Sequence, residues 1–133
     1  MISEKYILRV AAKTRKYGGS ASRLNAKTFL PSMDLWSFPK YPSRTEILPS
    51  TVDLETELRK FVIRNETVLR EVDCWLGTWI NPRSGDFYLD IATGIADLNE
   101  ARNAAIKVSL EEGRKIVAIF NLKKNETVYL WDE

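Results

Sequence analysis

The pattern of apolar and polar positions divides the chain near residue 50. In residues 5–12, KYILRVAA, Tyr6, Leu8 and Val10 alternate with Lys5, Ile7 and Arg9. A period of two gives a sheet strand one more deeply buried face, so this stretch predicts a strand. Residues 13–26 break the alternation, and Gly18, Gly19 and Ser20 read as a mobile loop. Residues 27–49 carry four of the five prolines: Pro31, Pro39, Pro42 and Pro49. Proline fixes φ and removes an amide donor, so neither a long helix nor a central strand is expected here. Yet Phe29, Leu30, Trp36, Phe38 and Tyr41 make the segment too apolar for a disordered linker. It is expected to be ordered and irregular, wrapping the domain, with a short strand at 44–48.

Beyond residue 50 the periodicity is clearer. Leu54, Leu58, Phe61, Val62, Val68, Leu69 and Val72 mostly follow i, i+3, i+4, i+7 spacing. That spacing predicts a helix capped by Ser50 or Asp53 and ending near Asp73. Asn65 falls on the apolar stripe, as its edge or as a buried amide with a partner. Residues 74–80 and 86–92 are two strands around the turn Asn81-Pro82-Arg83-Ser84-Gly85. Asp97, with Glu100 three residues on, opens a second helix with a small-residue face of Ala101, Ala104 and Ala105, and Gly113 closes it. Residues 114–122 are nearly all apolar from Ile116 to Phe120, which predicts a central strand covered on both faces. A turn at 123–126 and a strand at 127–131 complete the chain.

The sum is an α+β chain forming a single domain over 1–133. Residues 1–49 supply a basic strand and a wrapping segment; residues 50–133 supply helix, hairpin, helix, hairpin. The sheet is expected to be mostly antiparallel, with about four or five strands and two helices packed on it. At 133 residues a real core can form without disulfides or a structural metal.

Composition removes whole classes of chemistry. There is no histidine and one cysteine, Cys74. Ser-His-Asp and Cys-His hydrolases, zinc fingers and His-zinc sites are excluded. No catalytic residue, cofactor or metal ligand is assigned. The opening residues lack the order of a signal peptide, and no window approaches a membrane span, so a cytoplasmic protein without membrane contact is expected.

The net charge of +2 hides a split. Residues 1–49 hold nine Lys and Arg against three acids, +6; residues 50–133 hold eleven against fifteen, −4. The plainer reading is that the two parts pack together or that the charges are solvated. The sharper one is an anionic partner. Cations interleaved with rings neutralise phosphate and stack bases, so residues 13–44 are a candidate nucleic-acid surface.

Two further groups stand out. Asp86, Tyr88 and Asp90 share one strand face and could hold Mg²⁺ or do acid–base work, although a solvated sheet face has the same pattern. Trp75 and Trp79 flank Gly77, which could form a slot for a flat ligand, although core or edge packing is the commoner use of tryptophan.

The preferred expectation is a small accessory protein, of the kind phages and mobile elements carry, that works by binding. Its partner would be another protein or a second copy of itself, contacted through Arg15, Lys16, Arg23, Trp36, Phe38, Lys40, Tyr41 and Arg44. Nucleic acid bound by the same segment is the alternative, and a histidine-free metal enzyme on Asp86 and Asp90 the third.

Overall fold

A computed structural model describes residues 3–131. In chain order the elements are α1 (Glu4–Tyr17), β1 (Gly19–Arg23), β2 (Thr28–Phe29), β3 (Trp36–Pro39), a 3-10 turn (Pro42–Arg44), β4 (Glu46–Leu48), α2 (Leu54–Leu69), β5 (Trp75–Ile80), β6 (Phe87–Ile95), α3 (Leu98–Glu112), β7 (Ala118–Asn121) and β8 (Glu126–Tyr129). All eight strands join one antiparallel sheet in the order β2-β1-β5-β6-β3-β7-β8, with β4 also on β6. The α+β class stands, but three helices and eight strands in a curled half-barrel replace the expected two helices and four or five strands.

Strand β6 organises the sheet because it is the longest, nine residues. One edge pairs with β5 from Phe87↔Ile80 to Ala92↔Trp75. The other is shared end to end by β4, at Phe87 to Leu89, and β3, at Ala92 to Ile95. The segment between β3 and β4 bulges away from the sheet as the 3-10 turn.

The strand expected at residues 5–12 is helix α1. Its buried positions are Tyr6, Ile7, Val10, Ala11 and Thr14, a helical face. Leu8, which the alternation would bury, is 52% exposed. Three local signals favour the helix. Ser3 accepts from the Tyr6 amide, Glu4 lies in the first turn, and Gly18 takes the left-handed φ of 83° that lets its amide close on the Thr14 carbonyl.

The loop expected at 13–26 contains β1. Its inward side chains are serines, which hydrophobic periodicity does not register. Ser22 bonds the Tyr6 hydroxyl at 2.6 Å, and Ser20 bonds Thr78, itself bonded to Thr14, both at 2.6 Å. Within residues 27–49, β3 lies between β6 and β7 although no central strand was expected. Pro39 is tolerated because it ends that strand, beyond the last pair with β7.

The later elements keep their expected order. Helix α2 ends at Leu69 rather than near Asp73, and Asn65 departs from helical geometry inside it. Asn65 is buried and partnered: it donates to the Phe61 carbonyl and accepts from Arg44. Asp97 accepts from the Glu100 amide at 2.9 Å and caps α3. Strand β7 is only four residues and has a single covered face, since its other face borders a cavity.

Parity along the strands puts all three helices on one face. Leu76, Leu89 and Ile91 join α1 and α2 in one apolar cluster with Tyr6, Val10, Leu58 and Phe61. Trp36, Phe38 and Ile119 join Ala101 and Ala105 of α3 in a second. Thr93 follows Ile91 on the same face of β6 and lies opposite Phe38, so the two clusters lie on one side of the sheet. The other side is concave, and among the described residues it carries no helix. Among the described residues no helix is long and apolar enough to cross a membrane.

Candidate functional site

The residues expected to meet a partner are dispersed over the fold. Trp36 and Phe38 are 4% and 6% exposed and lie beneath α3. Arg15 forms a two-pronged pair with Glu55, both contacts at 2.8 Å. That pairing holds the Glu55 carboxyl well down, at about 2. Arg23 donates to the carbonyls of Val72 and Cys74 and lies over the Trp75 ring. Lys40 bonds Glu71 at 2.9 Å and Asp73 at 3.0 Å, and the Tyr41 hydroxyl donates to the same Glu71. Arg44 bonds Asn65. Lys16 lies over its neighbour Tyr17 on the exposed end of α1. Lys40 and Tyr41 therefore meet in one cluster, Trp36 and Phe38 share the core beneath α3, and Arg15, Lys16, Arg23 and Arg44 join neither group. Much of the charge split is internal, because basic side chains of the first part bind acids and carbonyls of the second.

Glu71, Asp73 and the Cys74 thiol lie within 4.8 Å of one another, the one such group among the described residues. The Lys40 ammonium already bridges the two carboxylates and holds both below the ordinary range. Burial pushes the Cys74 thiol up to about 11, so it is a poor nucleophile or metal ligand near neutral pH. This is a structural ion cluster.

Asp86 and Asp90 do not converge either. They lie four residues apart along an extended chain, roughly 13 Å, too far to share one ion. Asp86 sits at the hairpin turn, where its carbonyl accepts from Asn81. Asp90 instead enters the concave face.

That face holds a cavity of about 650 Å³. Its floor exists because alternate positions on neighbouring strands are small: Ala21 on β1, Gly77 on β5, Ala92 on β6, Ser37 on β3 and Ala118 on β7. Register brings Gly77 between Ala21 and Asp90 across three strands. Trp79 and Phe120 form the cavity walls, and Tyr88 and Tyr129 pack against Trp79. Trp79 meets Tyr88 edge-on at 5.1 Å and Tyr129 at 6.4 Å. Tyr129 is on β8, four places from β5 in the sheet, so this contact spans the curl. Arg83 stacks on Tyr129 at 3.5 Å. Phe120 lines the same space, and Leu30, Pro31 and Ser32 border it from the connection between β2 and β3. Trp75 fills the floor beside Gly94, where a Cβ would come within 2.9 Å of its ring, and its indole N–H donates to Ser37 at 3.3 Å.

Among the described residues, Asp90 is the single acid that lines the cavity and Lys13 the single base. Thr45 donates to Asp90 Oδ1 at 2.7 Å. Enclosure disfavours the charged carboxyl and pushes it up to about 6, against the Thr45 hydrogen bond and the more distant Arg114, which favour ionisation. A smaller space of about 40 Å³ lies behind it, bordered by Thr45, Tyr88 and Arg114.

The sequence singled out part of this site: Gly77 and Trp79 as a slot for a flat ligand, and Asp90 as a carboxylate on the same face as Tyr88. It did not join the two groups, and it missed Ser37, Ala92, Ala118, Phe120 and Thr45. Their signal is weak, since a small residue at every second strand position marks a cavity only once the register is known. No protein-family model, no curated protein and no solved structure matches the chain.

Proposed function

We propose that the protein binds a small, largely apolar molecule on the concave face of its sheet. One observation carries this reading: a 650 Å³ space walled by Trp79 and Phe120, floored by Gly77, Ala92 and Ala118, with one carboxylate in it. Ligand sites are typically concave and mostly apolar with few polar groups, at about 300–1,000 Å³. Binding rather than catalysis was already the preferred reading of a chain without histidine. The class of partner changes, because two of the rings proposed for a protein contact lie under α3 while the cavity walls are rings around open space.

Nile red, a neutral dye that brightens in apolar surroundings, tests this. The protein should saturate with one dye per chain at micromolar concentration. Ala118→Phe, which fills the floor from β7, should weaken binding at least tenfold and leave the circular dichroism spectrum unchanged. No saturable binding by the unaltered protein, or equal binding by the variant, would overturn the proposal.

A further inference from the structure

The chemistry of the cavity restricts its ligand further, an inference that rests on the binding role just proposed. Among the described lining residues Asp90 is the one carboxylate; the others are apolar, hydroxylic or amide, Lys13 excepted. The Lys13 ammonium is engaged elsewhere, 4.0 Å over the Phe29 ring at the β2 edge. Among the described residues the Asp90 carboxyl has one hydrogen bond, from Thr45, and no ion pair. A carboxylate offers about four acceptor sites. Most of that capacity has no donor in the protein, and the half-buried group opens on the cavity. The charged or titratable groups around it are Arg114 and Lys115 from the segment before β7 and Tyr88 from its own strand, all bordering the smaller space behind it. On the cavity side it faces Gly77, Ala92 and Trp79.

A half-buried acceptor that opens on a cavity can take a donor that arrives with the ligand. A charged donor is favoured twice, by the charge-assisted hydrogen bond to Asp90 and by the face of Trp79. An anionic ligand would meet like charge at Asp90. We infer that the cavity takes a ligand with a flat apolar body and one protonated amine, the amine seated on Asp90 and the body between Trp79 and the floor at Gly77 and Ala92. The enclosure that raises the Asp90 pKa adds a pH signature, since a protonated carboxyl no longer attracts a cation.

Three ligands of one shape, differing only in the polar group, decide the matter by displacement of Nile red at pH 7.5: 2-naphthylmethylamine, 2-naphthalenemethanol and 2-naphthoate. The amine should bind about tenfold more tightly than the alcohol, as a charge-assisted bond over a neutral one, and the carboxylate most weakly. Asp90→Asn should bring the amine's affinity down to that of the alcohol. On the unaltered protein, the amine should weaken by about tenfold at pH 5, where a carboxyl titrating at about 6 is mostly protonated. The alcohol should not change. Nile red binding with equal affinities for amine and alcohol, or an amine preference that survives Asp90→Asn, would overturn the inference while leaving the cavity's binding role intact. Failure to bind Nile red would overturn the binding role itself. Should Asp90→Asn not fold, the pH comparison decides alone: an amine affinity unchanged between pH 7.5 and 5 rejects the inference.

Discussion

Asp90 carries an energetic cost in the native state that a neutral residue would not. Its folded pKa of about 6 stands above the ordinary 3.8, so the native state holds the proton more tightly than the unfolded chain. The contribution of Asp90 to stability is then greatest below about pH 4, falls as pH rises to about 6, and stays lower above that. The full shift corresponds to roughly 3 kcal/mol as an upper bound. Asn keeps the shape and can still accept from Thr45. Asp90→Asn should therefore raise stability at pH 7.5 by on the order of 1–3 kcal/mol and have little effect at pH 4. Urea unfolding at the two pH values measures this, and an equal loss at both would show that the carboxylate is not disfavoured. Retention of a destabilising charge in a cavity is the pattern of a site shaped by binding rather than by stability.

At the scale of elements, the three helices differ in how firmly their ends are fixed. Asp97 accepts from the Glu100 amide and caps α3, whereas the Asp53 side chain makes no such bond at the start of α2 and instead accepts from Thr56. Removing a working cap costs about 1 kcal/mol. Asp97→Ala should lose about that amount in thermal or urea unfolding, and Asp53→Ala only a few tenths; equal losses would contradict the assignment. The elements after residue 50 were legible because burial there follows standard periods: Leu54, Leu58, Phe61 and Val62 in α2, and Phe87, Leu89 and Ile91 in β6. The first third was not, for identifiable reasons. Tyr6 and Val10 satisfy a period of two and a helical turn equally, and the buried Ile7 and exposed Leu8 separate them, by a difference in burial between two apolar neighbours. Strand β1 buries Ser22 against Tyr6, so its signal is hydrogen bonding rather than hydrophobicity.

For the whole molecule, the asymmetry between the two faces of the sheet matters most. One face is covered by three helices and closed by two apolar clusters. The other is left to small side chains and rings that curl around open space. Charge gave little guidance to this, because the basic first third pairs with the acidic remainder through Arg15–Glu55, Lys40–Glu71 and Lys40–Asp73. The slot of Trp75, Gly77 and Trp79 and the face of Tyr88 and Asp90 were visible as separate strands. Their union depends on the β5–β6 register and on the curl that brings Tyr129 back to Trp79, and no local pattern encodes a contact across four strands. The most direct measurement is a solution NMR titration with Nile red, following backbone amides. The account predicts saturable shifts concentrated at Ser37, Gly77, Trp79, Ala92 and Ala118. Shifts confined to the outer surface, around exposed Leu8 and Ile63, or no saturable shifts at all, would contradict it.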